Sequence, residues 1–136
     1  MTLVLLDTTV LIDAERSTFE LDAVLADDDE PAIAAITVAE LGVGVGTAKG
    51  RRRANRQAFL DAVVATVPVL PYDLAVARAH STLLVAARRA GRPRGAHDLI
   101  IAATAAATGR EVVTADGAGF ADLPGVRVRR PQGGGG

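Results

Sequence analysis

Leu3-Val4-Leu5-Leu6-Asp7-Thr8-Thr9-Val10-Leu11-Ile12 is the stretch on which the fold is read. Residues 3–6 form a short continuous apolar run, the pattern of a strand buried on both faces, and Asp7 closes it at once. Four more short runs follow: residues 32–36, entered through Pro31; residues 67–70, framed by Pro68 and Pro71; residues 111–114; and residues 126–128. Helical patterns lie between them. Phe59, Leu60, Val63 and Val64 recur at spacings of three and four, and Leu74, Ala77, Leu84 and Ala87 make a second stripe that Asp73 can cap. Residues 97–108 are almost entirely alanine and apolar, and Gly109 ends them as a left-handed cap would. Strands alternating with helices predict an α/β fold, a parallel sheet of about five strands covered on both sides.

The 136 residues, 49% hydrophobic and 23% charged, are enough for one self-sufficient core. No internal repeat or linker divides them. Residues 1–130 are expected to form a single domain and residues 131–136 a flexible glycine-rich tail. The absence of cysteine excludes disulfide scaffolds, thiolate zinc sites and cysteine nucleophiles. No apolar run approaches the roughly 18 residues of a membrane span, and no basic leader opens the chain, so a cytoplasmic protein is expected.

The net charge of −1 conceals a strong segregation. Residues 1–40 carry ten acids against Arg16 alone, a net of −9, whereas residues 41–94 carry ten bases against Asp61 and Asp73, a net of +8. Arginines gathered on one face would hold a polyanion. The two histidines read otherwise: His80 falls within a helical pattern as a packed side chain, and nothing beyond its place next to Asp98 assigns His97 a task. The Gly42, Gly44 and Gly46 stretch fits no phosphate-loop pattern, and the four aromatic residues are too few for a base-stacking platform.

Ligands of open α/β sheets bind beyond the carboxyl ends of the strands, and four acids fall there. Asp7 ends the first strand, Asp116 follows the fourth, Glu40 lies one helical turn past the second, and Asp98 opens the apolar helix. Each has a local explanation: a Thr37–Glu40 capping box, a helix-dipole position for Asp98, and Asx turns at Asp7 and Asp116. Together they need more than that, because two carboxylates about 4 Å apart repel by roughly 4 kcal/mol at an effective dielectric of 20. Convergence would demand a cation. An all-oxygen ligand set selects Mg²⁺ or Mn²⁺, and such an ion activates water and stabilises charge on phosphate. Asp13, six residues past Asp7, is expected at the surface.

The segments of residues 6–12, 36–42, 97–105 and 113–120, namely LDTTVLI, ITVAELG, HDLIIAATA and VTADGAGF, resemble in content and order those of PIN-domain nucleases. More narrowly, the chain is similar from Leu3 to Arg130 to the VapC toxins of bacterial type II toxin–antitoxin pairs. The resemblance implies a three-layer α/β/α fold and a Mg²⁺-dependent endoribonuclease, in which a metal-activated water attacks an RNA phosphodiester without a covalent protein intermediate. Asp7 and Asp98 would be direct metal ligands, Glu40 and Asp116 would act through waters or a second ion, and Thr114 would support a carboxylate or a water. It also implies a homodimer, and a cognate antitoxin whose terminal segment lies in an apolar groove and directs an arginine at the acids. Arg51, Arg52, Arg53, Arg92 and Arg94 are the candidate RNA contacts.

Two other readings stay open at this point. One is a domain that binds RNA or protein without catalysis. The other is a haloacid-dehalogenase-like phosphatase, which needs a second aspartate two residues after the first, where this chain has Thr9.

Overall fold

The computed structural model describes residues 1–17 and 20–131. In chain order it contains β1 (Thr2–Leu6), α1 (Thr8–Ser17), β2 (Asp29–Ala34), α2 (Ala35–Gly46), α3 (Gly50–Thr66), β3 (Val69–Leu70), α4 (Leu74–Ala90), α5 (Ala96–Thr108), β4 (Glu111–Val113) and β5 (Val128–Arg129). Short 3₁₀ turns occupy Leu21–Val24 and Gly117–Gly119. The five strands are parallel in the order β3-β2-β1-β4-β5. Of the expected tail only Pro131 is described; residues 132–136 lie outside the described residues.

Alternation along the strands divides the core in two. Leu5, Ala32, Ala34 and Val112 face a layer that includes Val76 and Leu83 of α4 and Leu99, Ile101 and Ala102 of α5. Val4, Leu6, Ile33 and Val113 face the other way, onto Val10 and Leu11 of α1 and Val63 of α3. This is the three-layer α/β/α arrangement: a sheet with both faces covered, whose strands read as unbroken apolar runs.

Element boundaries differ from the sequence reading where polar residues enter strands. β2 begins at Asp29, not at Ala32, and gives way to α2 at Ala35. Pro31 is tolerated inside it because the Ile33 N–H, on the same side, bonds Pro68 O, and β3 pairs only with Ile33 and Ala34. Val67 closes α3 through its N–H to Val63 O, which leaves β3 only two residues. The stripe of α4 is also displaced: Val76 and Leu83 are buried while Leu74 is 65% exposed, since a helix rich in small apolar residues can dock in neighbouring registers. The expected caps form: Asp73 accepts from the Val76 N–H, and Gly109 is left-handed at φ 66°.

Candidate metal centre

Asp7 stands at the end of β1, with its N–H on Val113 O of β4. The chain order reverses between β1 and β4, since β2 and β3 lie on one side of β1 and β4 and β5 on the other. Such a reversal opens a crevice beyond the carboxyl ends of the strands. Asp7 is buried, 2% exposed, and both of its carboxylate oxygens accept hydrogen bonds. Oδ1 accepts from the Thr8 N–H at 2.8 Å, and Oδ2 accepts from the hydroxyls of Thr9 at 2.7 Å and Thr114 at 2.8 Å. The Thr114 hydroxyl in turn accepts from the Asp116 N–H at 2.9 Å. One buried hydroxyl therefore fixes the positions of two of the four acids.

Glu40 is held on the other flank, in α2. Its Oε1 accepts from the Thr8 hydroxyl at 2.7 Å, and its Oε2 lies 3.2 Å from His97 Nδ1. The Thr8 hydroxyl has a single proton, given to Glu40, so the fully buried Thr37 hydroxyl 3.0 Å away donates to Thr8. This replaces the expected capping box. α2 begins two residues before Thr37, after Ala34, which has no capping side chain, and the contact with α1 orients both Thr37 and Glu40. Thr8 and Thr37 are thus contributors that local patterns do not reveal, and His97, assigned no task from sequence, lies at the site edge.

Asp98 lies in the first turn of α5, half-buried. A Cβ on Gly95 would stand 3.1 Å from Asp98 Oδ2, and one on Gly119 would stand 2.9 Å from that oxygen and 3.6 Å from Asp116 Oδ2. The two glycines make room for the carboxylate, and Asp116 shares that space. Burial first, then the charges of Asp7, Asp116 and Glu40, push the Asp98 carboxyl above its ordinary value, with His97 opposing them. Asp7, Glu40 and Asp116 therefore all lie within electrostatic reach of Asp98. Among the described residues, no group of three or more His, Asp or Glu side chains is drawn tightly enough to close a metal cage. The donor set is all oxygen and rich in carboxylate, which fits a hard divalent cation that keeps part of its water shell.

The remaining candidates divide. Arg51, Arg52 and Arg53 are exposed on the first turn of α3. Arg92 pairs with Asp122 at 2.9 Å, and Arg94 donates to Ala118 O at 3.1 Å and Ala121 O at 2.6 Å. Asp13 is exposed. Thr9 bonds to Asp7, so the place of the phosphatase's second aspartate holds a hydroxyl that orients the first.

The PIN domain family model matches residues 4–126. The chain belongs to the PIN-domain family. Ribonuclease VapC5 of Mycobacterium tuberculosis is 40% identical over 122 residues, 89% of this chain and 87% of that protein. VapC ribonuclease Y4jK of Sinorhizobium fredii is 37% identical over 103 residues, 73% of each chain. Among solved structures, VapBC-5 of M. tuberculosis, a member of the VapBC family of toxin–antitoxin systems, superposes with a TM-score of 0.79 at 34% identity, covering 96% of this chain and 99% of that one. At these identities this PIN domain is a member of the VapC ribonucleases. No described helix of it is long and apolar enough to cross a membrane.

Proposed function

We propose that this VapC-family PIN domain is the toxin of a toxin–antitoxin pair, a cytoplasmic endoribonuclease that hydrolyses RNA with Mg²⁺ and is neutralised by a cognate antitoxin. The observation that carries the reading is the gathering of Asp7, Glu40, Asp98 and Asp116 at the carboxyl ends of β1, β2 and β4 and the start of α5, with mutual repulsion concentrated on Asp98. Asp7 and Asp98 would hold the cation, and Glu40 and Asp116 would act through its waters or a second ion. A divalent cation bound there supplies Lewis acidity for a water nucleophile and charge to stabilise the phosphorane-like transition state.

The chain's own residues do the rest. Three hydrogen bonds hold Asp7 at a fixed angle, and the Thr37–Thr8 relay does the same for Glu40, so neither acid must reorganise when substrate arrives. Arg51, Arg52 and Arg53 offer exposed guanidiniums to the RNA backbone. A groove lined by Ile12, Leu41 and Phe59 reaches Glu40, with Arg16 and Arg56 also on its wall, and is the proposed seat of the antitoxin's terminal segment. The protein is proposed to act as a homodimer.

The test is RNA cleavage in Mg²⁺ or Mn²⁺ by the wild type, Asp7→Asn and Asp98→Asn. Loss of cleavage in both variants is expected; equal activity in all three would falsify the proposal.

A further inference from the structure

The α4–α5 connector lies against the turn after β4. Arg94, next to the Gly95 N-cap of α5, forks its two terminal nitrogens onto Ala118 O and Ala121 O. These carbonyls belong to the turn that starts at Asp116, and Gly119 of the same turn lies against Asp98 Oδ2. We infer that Arg94 is a positioning residue: its guanidinium fastens the 117–122 turn to the entrance of α5 and so holds Asp116 opposite Asp98, ready for a cation. The inference rests on the metal-dependent reading above and concerns how the site is kept assembled before the cation binds.

Three observations support it. Asp98 and Asp116 repel, so the turn carrying Asp116 is driven away from α5 unless something opposes the motion. The turn's own bonds are long: the Gly119 N–H to Asp116 O spans 3.3 Å and the Phe120 N–H to Gly117 O spans 3.2 Å. Leu123 anchors its far end in the core, the buried Phe120 its centre, and the Asp116 N–H its near end on Thr114, while Arg94 ties the exposed Ala118 and Ala121 on either side of Phe120 to the start of α5. The Arg92–Asp122 pair lies over the same turn, but both side chains are more than 60% exposed, and such pairs contribute little. The Arg94 guanidinium bonds two carbonyls of the turn, so its action on Asp116 runs through the position of that turn.

A phosphate contact is the competing role for an arginine beside such a site, and it has a different signature. The experiment titrates Mn²⁺ into the full-length, RNA-free protein by calorimetry, for the wild type, Arg94→Ala, Arg94→Lys and Arg89→Ala, the last an exposed arginine at the end of α4. Losing the two charge-assisted bonds is expected to weaken Mn²⁺ binding by about five-fold in Arg94→Ala, with Arg94→Lys between it and the wild type. Arg89→Ala should bind Mn²⁺ like the wild type. At saturating Mn²⁺ the cation itself gathers the acids, so RNA cleavage by Arg94→Ala should return to within about three-fold of the wild type, with KM for RNA unchanged.

If the wild type takes up Mn²⁺ and Arg94→Ala matches its affinity, the inference is wrong and the nuclease reading stands. A raised KM for RNA, with a salt dependence reduced by about one ion and unaltered Mn²⁺ affinity, would make Arg94 a phosphate contact instead. A wild type that takes up no Mn²⁺ overturns the metal-dependent reading itself. Circular dichroism checks folding; should Arg94→Ala not fold, Arg94→Lys decides, and wild-type affinity in it counts against the inference.

Discussion

At the amino ends of the strands, Asp29 and Glu111 lie against the guanidinium of Arg129. At the carboxyl ends, Asp7, Glu40, Asp98 and Asp116 gather, and among the described residues no arginine or lysine forms an ion pair with any of them. The difference shows in how two carboxyls respond. Burial would raise Asp29, whose side chain is fully covered, but the Arg129 hydrogen bond, the Ala26 N–H and the Arg129 charge together bring it below its ordinary value. Burial also raises Asp98, and there the neighbouring charges of Asp7, Asp116 and Glu40 add to the effect. One acid has a cation built into the chain and serves the fold. The other belongs to a cluster of acids with only His97 of the chain's basic groups beside it among the described residues, the setting proposed above for a divalent cation.

The sharpest way to break this contrast is to neutralise one acid at each end. Asp7→Asn should lower RNA cleavage by about a thousandfold, some 4 kcal/mol of transition-state stabilisation, measured under single-turnover conditions. Asp29→Asn should leave the rate per folded molecule within about two-fold of the wild type, because Asp29 opens β2 at the end of the sheet opposite the four acids.

Stability should respond the other way round. Asp29→Asn strands the largely buried Arg129 with only the longer Glu111 contact at 3.7 Å, and is expected to cost about 2–3 kcal/mol in denaturant unfolding at neutral pH. The folded Asp29 carboxyl sits below its unfolded value of about 3.9, so this contribution is complete above that value. It is lost as the pH falls through the lowered folded value, and the wild-type and variant curves should converge in acid. Persistence of the gap there would contradict the pairing.

Divalent cation sharpens the comparison from the other end of the sheet. Mn²⁺ at about 100 times its dissociation constant should raise the unfolding free energy by about 2.7 kcal/mol, visible as a shift in melting temperature. Asp98→Asn should abolish most of that shift, and Asp29→Asn should keep it. The smallest effect is expected from Thr37→Val, which removes the donor behind Thr8 and should cost about 1 kcal/mol of stability, with cleavage reduced a few-fold through Glu40.

Asp7, Asp98 and Asp116 were readable along the chain because each sits where a regular element begins or ends, a local event, and Glu40, inside α2, by its place a turn past β2. Asp73 and Gly109 were readable for the same reason, since a cap is decided within a few residues. The start of β2 was not, because Asp29 and Glu30 enter the sheet through pairing with Thr2 and Leu3, not through any apolar pattern of their own. Thr37 looked like a cap, yet its hydroxyl turns to Thr8, 29 positions away. The bonds of Arg92 and Arg94 to the turn at residues 117–122 were not readable either, since they join positions 24 to 30 residues apart.

By itself, then, the order of residues determined the alternation of strands and helices, the absence of thiol chemistry, and which four carboxylates were candidates to meet. All of these follow from side-chain type and short-range spacing. The folded chain alone decided what each carboxylate leans on: Asp7 on three donors, Glu40 on a two-hydroxyl relay, and Asp98 between two glycines. Such contacts join positions as far as 107 residues apart, and their geometry is set by how the layers pack, which local sequence does not record.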